Sequence, residues 1–179
     1  MAVVKTLNDW METAEALKNG KVVILPCDTI YSLSGRIGED MKDKLYDIKQ
    51  RPKSKSFITL MTLDQLRESH LIVPERLYSL WPAPLTAILR TEDGGTEAVR
   101  VPEGDYINKI LSVSGPIYST SVNISGQESL LTFDDIFPVF SPLVDIIVED
   151  HTIKGGRPST LIDAVTDEFR IIRQGDFVI

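Results

Sequence analysis

Residues 49–55 read Lys49-Gln50-Arg51-Pro52-Lys53-Ser54-Lys55, four cations within seven positions of a chain whose formal net charge is −7. Side chains that repel one another do not help a chain to fold, so the cluster suggests an anionic ligand, with a solvated basic loop as the plain alternative. Guanidinium can grip phosphate or carboxylate through two parallel hydrogen bonds, and ammonium acts as a mobile point charge. Other stretches offer the same kind of chemistry. Ser119-Thr120-Ser121-Val122-Asn123-Ile124-Ser125-Gly126 is rich in hydroxyl and amide groups after an apolar run; it could donate to a ligand or satisfy its own turn. Arg100, flanked by valines, must face solvent or pair with an anion, either a substrate carboxylate or a structural Asp or Glu. In Pro26-Cys27-Asp28-Thr29, Asp28 and Thr29 can hydrogen-bond a small polar ligand. Cys27 has no histidine near it in sequence and reads as a small core residue rather than a nucleophile. Ser159-Thr160 follows Gly155-Gly156, and Arg173 precedes Gly175.

The elements that would carry these groups alternate between strand and helix, the pattern of an α/β domain. Asp9-x-x-Glu12 predicts a capped helix with Trp10, Ala14 and Leu17 on one face, stopping at Gly20. Val22–Leu25 reads as a buried strand ended by Pro26, with a polar loop from Pro26 to Gly35 beyond it. Met41, Leu45 and Ile48 predict a helix over about 39–50 that delivers the basic cluster, and Pro52 stops it. Strands are expected over 56–61, 85–90, 98–101, 116–120, 144–148, 159–165 and 169–173. Shorter helices should begin at Thr62-x-x-Gln65, Pro74 and Thr132-x-x-Asp135, with another around Ile107 to Leu111. No internal repeat or linker interrupts the chain, so a single domain over 1–179 is expected.

The totals narrow the function classes. At 179 residues, 42% hydrophobic and 25% charged, the chain has the makeup of a globular protein with a sizeable core. No run of eighteen apolar residues occurs, and the first residues lack a signal peptide's apolar centre, so a cytoplasmic protein without membrane association is expected. One cysteine and two histidines exclude an internal disulfide and a cysteine- or histidine-rich metal centre. A pI near 4.9 argues against a broad nucleic-acid-binding face, leaving room only for weak, local RNA contact. Neither a Gly-x-Gly-x-x-Gly nor a phosphate-loop signature is present.

Taken together, the segments resemble the YrdC/YciO-like family, whose best-known members are threonylcarbamoyl-AMP synthases. The resemblance runs from Gly20 to Gly175 in the family's order. It rests on Pro26-Cys27-Asp28-Thr29-Ile30-Tyr31, Lys49-x-Arg51 with Ser121-x-Asn123, and Trp81-Pro82-Ala83-Pro84-Leu85-Thr86. Val99-Arg100-Val101-Pro102, Ser159-Thr160 and Arg173-x-Gly175 complete it. It implies a YrdC-like twisted mixed sheet with flanking helices around a concave basic cavity, in the short, single-domain form. It also implies a nucleotidyltransferase that makes threonylcarbamoyl-AMP and pyrophosphate from L-threonine, bicarbonate and ATP with Mg²⁺. A downstream threonylcarbamoyl transferase (TsaD-type) would then modify the adenosine beside a tRNA anticodon.

Carried over by position, Lys49, Arg51, Lys55, Thr96, Ser121, Asn123, Ser129 and Arg173 would hold ATP. Lys49 and Arg51 would be the catalytic cations. Thr29, Leu60, Arg100, Ser119 and Ser159 would line the threonine pocket, with Arg100 on the carboxylate, and no side chain would ligate the metal. The chain departs from the family pattern at Cys27, Ser32, Ala83 and Val122; Ser32 and Val122 are expected to add bulk beside the cavity. Two other readings stay open: a non-catalytic RNA-binding module of the same fold, and an enzyme adenylating a different carbamate.

Overall fold

The computed structural model describes residues 1–152 and 156–179. Eleven strands form one mixed sheet: β1 (Val3–Thr6), β2 (Val23–Leu25), β3 (Ser32–Arg36), β4 (Ile58–Leu60), β5 (Leu71–Ile72), β6 (Leu85–Thr91), β7 (Thr96–Arg100), β8 (Ile117–Ser121), β9 (Ile146–Glu149), β10 (Thr160–Asp163) and β11 (Arg170–Arg173). Their order is β1-β9-β2-β3-β8-β4-β7-β6-β10-β11, with β5 added beside β6. Parallel pairs join β1 to β9, β9 to β2, β4 to β7 and β6 to β10; the remaining pairs are antiparallel. The helices are α1 (Trp10–Lys18), α2 (Glu39–Lys49), α3 (Leu63–Arg67), α4 (Glu75–Tyr78), α5 (Asp105–Ser114) and α6 (Phe133–Phe140). Among the described residues no helix is long and apolar enough to cross a membrane.

Side-chain alternation sorts the centre of the sheet into two faces. β2 is buried throughout. Its Ile24 joins Leu33, Met41, Leu45, Ile136 and Phe140 under α2 and α6. Val23 and Leu25 point the other way, into a core with Leu60 and Ile117 that α1 and α5 cover through Ala14, Leu17, Ile107, Ile110 and Leu111. That second face continues beyond the apolar patch. The registers Leu25↔Ser32, Ser32↔Ser121, Ser34↔Ser119, Ser119↔Ile58 and Leu60↔Arg100 place Ser32, Ser119, Ser121 and Arg100 on it. A hydrophobic sheet face thus turns polar where helical cover stops. A third core gathers β6 and β7 residues around Trp81 and Leu77.

Several expectations shift in detail. Asp9 does not cap α1; its carboxylate turns back to accept from the Thr6 backbone N–H at 2.8 Å and the Thr6 hydroxyl at 2.9 Å. The stretch from Pro26 to Gly35 is not all loop, because Ser32–Arg36 pairs with β2 and β8 on either side. Gly35 is required there by close approach: a Cβ would lie 2.3 Å from the Met41 sulfur of α2. Val122 is fully buried in the core under α2 and α6 and adds no bulk to a cavity wall. The capping box at Thr62 holds as the spacing predicts, and Thr132 caps its helix, the hydroxyls accepting from the backbone N–H of Gln65 and Asp135. Gly155 lies outside the described residues.

Candidate active site

The polar part of the sheet face floors a cavity of about 300 Å³. Ser32, Ile58, Ser119, Ser121 and Arg100 come from the strands; Thr29, Ile30 and Tyr31 come from the loop after β2. Arg51, Ser56 and Phe57 follow α2, Ser129 lies in the loop before α6, and Pro158, Ser159 and Arg173 close the far side.

Arg51 reaches this wall because α2 ends correctly. Gln50 takes a left-handed conformation (φ 49°) and caps the helix, with the Arg51 N–H bonding back to the Tyr46 carbonyl at 3.0 Å. The chain thereby reverses. Lys49 remains on the buried side while Arg51 swings out over the Phe57 ring at 5.3 Å. The Arg51 guanidinium donates to the Ser56 carbonyl at 2.9 Å and to the Lys55 carbonyl at 3.3 Å.

Lys49 is 1% exposed. Its ammonium donates to the Ser121 carbonyl (2.5 Å), the Asn123 carbonyl (3.0 Å) and Asn123 Oδ1 (2.8 Å). The Ser121 hydroxyl also donates to Asn123 Oδ1 at 2.7 Å, and the Lys49 carbonyl accepts from the Ser125 N–H at 2.8 Å. Lys49-x-Arg51 and Ser121-x-Asn123 therefore form one cross-linked unit. Burial, and secondarily the Arg51 charge, push the Lys49 pKa down to about 7.

Arg100, 5% exposed, is held by a structural acid and still faces the cavity. Its guanidinium pairs with Asp28 at 3.2 Å and donates to the Thr29 hydroxyl and the Cys27 sulfur, each at 3.1 Å. Its Nε is buried with no partner among the described residues. Asp28 is engaged on both oxygens, since Oδ2 accepts the Glu103 N–H at 3.2 Å. Burial pushes the Cys27 thiol up to about 12, which leaves it protonated and poorly nucleophilic.

Across the cavity, Arg173 donates twice to the Ser159 carbonyl, at 2.8 and 3.2 Å. Desolvation, and secondarily the Arg100 charge, lower its pKa. Gly175 makes this approach feasible, because a Cβ there would sit 2.5 Å from the Pro158 carbonyl oxygen and 2.6 Å from the Thr160 nitrogen. Among the described residues, neither Arg51 nor Arg173 has a carboxylate within salt-bridge distance. Three arginines facing one cavity, two of them without a counter-charge, make an electropositive site suited to a polyanion.

The sequence profile of the Sua5/YciO/YrdC family, described as "Telomere recombination", matches residues 15–175. The chain belongs to this family. A threonylcarbamoyl-AMP synthase of Vibrio vulnificus (strain YJ016) is 28% identical over an alignment of 187 positions that covers 94% of this chain and all of its own. The structure of Pyrococcus abyssi Sua5 complexed with L-threonine superposes with a TM-score of 0.88 at 25% identity, covering 97% of this chain and 58% of that one. This chain therefore spans a little over half of that protein. Escherichia coli YciO shares the fold, with a TM-score of 0.85 at 22% identity over 98% of this chain and 97% of its own.

In this Sua5/YciO/YrdC chain, Thr29, Arg51, Arg100, Ser119, Ser121, Ser129, Ser159 and Arg173 share the cavity. The other expected residues do not line it. Lys49 is buried, and the half-buried Asn123 engages its side chain with Lys49, Ser121 and the Gln127 carbonyl. Lys55 is exposed, and its carbonyl accepts from Tyr46 and Arg51. Leu60 is fully buried under α1 and α5. Thr96 opens β7, four residues before Arg100, and faces a second cavity with Lys42, Glu97 and Tyr118. Ser32, Ser56 and Phe57 line the first cavity without having been singled out for a ligand. For Ser32 the available signal was the alternation Ser32-x-Ser34, obscured by reading that stretch as loop.

Proposed function

We propose that this chain is a threonylcarbamoyl-AMP synthase, an adenylyl-transferring nucleotidyltransferase acting on L-threonine, bicarbonate and ATP. The observation that carries the reading is the cavity lined by Arg51, Arg100 and Arg173, in which Arg51 and Arg173 have no carboxylate partner among the described residues. The reaction brings a triphosphate, a carboxylate and a carbamate together, so its barrier is dominated by crowding anions. Fixed cations and oriented donors lower it without a covalent nucleophile.

In this reading Arg100 receives the threonine carboxylate on the side it presents to the cavity, while Asp28 and Thr29 fix the guanidinium plane. Threonine amine and bicarbonate combine to a carbamate with loss of water. A carbamate oxygen attacks the α-phosphorus, the bond to the β-phosphate oxygen breaks, and pyrophosphate leaves. Arg51 and Arg173 hold the polyphosphate and offset charge building on the leaving group. Ser121 and Ser129 offer hydroxyls beside them. Lys49 acts behind the wall, fixing Ser121 and Asn123. Mg²⁺ would arrive with ATP; the described residues gather no group of three His, Cys, Asp or Glu able to hold it, so phosphate oxygens would be its ligands.

The mixed anhydride product would be used by a threonylcarbamoyl transferase that passes the group to tRNA, a supply role that would suit a cytoplasmic protein. Any RNA contact would be local and weak. The decisive assay is pyrophosphate release from ATP and bicarbonate with amino acids added singly. Threonine-dependent release is the expected result, and its absence from folded protein with Mg²⁺ present would sink the proposal.

A further inference from the structure

Three hydroxyls form a chain on the cavity floor. Ser32 Oγ lies 2.8 Å from Ser34 Oγ and 2.6 Å from Ser119 Oγ. Ser34 is completely buried, Ser32 is 3% exposed and Ser119 is 5% exposed at the cavity wall. Each hydroxyl carries one proton, so three hydroxyls joined by two hydrogen bonds have one donor left over. Its position follows from where a further acceptor can be found. Among the described residues, Ser34 Oγ has no hydrogen-bond partner other than Ser32. If the chain ran from Ser119 toward Ser34, the Ser34 proton would be buried with nothing to accept it, which costs about 1–3 kcal/mol. Two arrangements avoid this: Ser34 to Ser32 to Ser119, with the spare proton on Ser119, or Ser34 and Ser119 both donating to Ser32, with the spare proton on Ser32. Both residues line the cavity, so in either case the pair has one donor to offer it.

We propose that Ser32 is a specificity-determining positioning residue: bonded to both Ser34 and Ser119, its hydroxyl makes the Ser32–Ser119 pair present one spare donor to the cavity, so the amino-acid subsite takes a substrate with an acceptor at that point, a β-hydroxy amino acid. This rests on the amino-acid half of the function proposed above, in which the carboxylate is taken by Arg100. The registers put Ser119 beside Ile58 and Arg100 beside Leu60, two residues further along the same sheet face, so the two groups address different ends of one ligand. Valine matches threonine in shape but has a methyl group where threonine has its hydroxyl. It would leave the spare proton of the pair unmet. Without the Ser32 hydroxyl, Ser119 loses its hydrogen-bond partner and can rotate, and discrimination between the two amino acids falls.

The test is calorimetric binding of L-threonine and L-valine to the full chain, with α,β-methylene ATP present, for wild type, Ser32→Ala, Ser32→Gly and Ser32→Thr. Threonine-dependent pyrophosphate release is measured in parallel on wild type. Wild type should prefer threonine by at least about tenfold, as expected for one hydrogen bond made or left unmet. Both hydroxyl-free variants should lose most of that ratio, and Ser32→Thr should restore it, which a change of packing alone would not do. An unchanged ratio in Ser32→Ala and Ser32→Gly overturns the proposal, as does a wild type that binds both equally or neither. Selective binding that Ser32 controls, without threonine-dependent pyrophosphate release, leaves this inference standing and removes the synthase reading. Release with a ratio indifferent to Ser32 does the reverse.

Discussion

Lys49 is the side chain whose replacement separates a wall-building role from a ligand-gripping one. In Lys49→Met the aliphatic stem is kept and the ammonium removed. Asn123 Oδ1 retains the Ser121 hydroxyl, but the Ser121 and Asn123 carbonyls lose the Lys49 donor. Each unmet buried acceptor costs about 1–3 kcal/mol, so two give a loss of about 2–6 kcal/mol. Relief from burying a charge opposes this and leaves a net destabilisation of about 1–3 kcal/mol at pH 7. The pH dependence sharpens the test. Burial, with a smaller contribution from Arg51, lowers the Lys49 pKa from 10.5 to about 7, so from pH 7 to 10.5 the unfolded chain binds more protons than the native one. Stability then rises with pH in that window. Cys27 acts oppositely: its pKa is raised by burial from 9.0 to about 12, so its contribution is complete below 9 and is lost as pH climbs toward 12. The clean interval is therefore pH 7 to 9. Urea unfolding followed by circular dichroism should show wild type gaining stability from pH 7 to 9 and Lys49→Met staying flat, so the gap between them widens. Equal stability of the two proteins at pH 7, or a wild type that weakens over that interval, would refute the reasoning.

The remaining predictions follow from which charges have partners. Arg51→Ala and Arg173→Ala leave no carboxylate orphaned among the described residues; each should weaken ATP binding by about 10- to 100-fold in a titration while unfolding within about 1 kcal/mol of wild type. Arg100→Ala, by contrast, strands the nearly enclosed Asp28 and should destabilise the protein by about 3–5 kcal/mol, part of which Asp28→Ala recovers in the double variant. Additive losses in that cycle would show that the pair is not coupled. Cys27→Thr should retain pyrophosphate release, and wild-type Cys27, held protonated, should resist iodoacetamide at pH 8 until the protein is unfolded.

Much of this architecture was legible because its signals are local. The helix from Glu39 to Lys49, the capping box at Thr62, the N-cap at Thr132, and most strands follow from apolar spacing and turn residues, which need no knowledge of the rest of the chain. The weak points are those decided by partners distant in sequence. β1 and β5 are short and acquire strand character from β9 and β6. Ser32–Arg36 is poor in side chains that favour strands, yet lies between β2 and β8 and pairs with both. For the site, residue type told which groups could bind an anion but not which way they turn. Lys49 and Arg51 are two positions apart at a helix end, and the left-handed Gln50 sends one inward and the other to the cavity.

Arg100 makes the same point from the other direction. Its flanking valines demanded a partner, and both readings were compatible with that demand. Asp28 meets the need for a structural acid while Arg100 still lines the cavity. An ion pair that neutralised the guanidinium on all sides would have closed the site. One that engages its outer nitrogens fixes the plane and leaves the side chain at the cavity wall. The two settings that compete in sequence, a structural acid and a ligand cavity, thus meet at one side chain, and only the fold, by carrying the loop after β2 across to β7, brings them together.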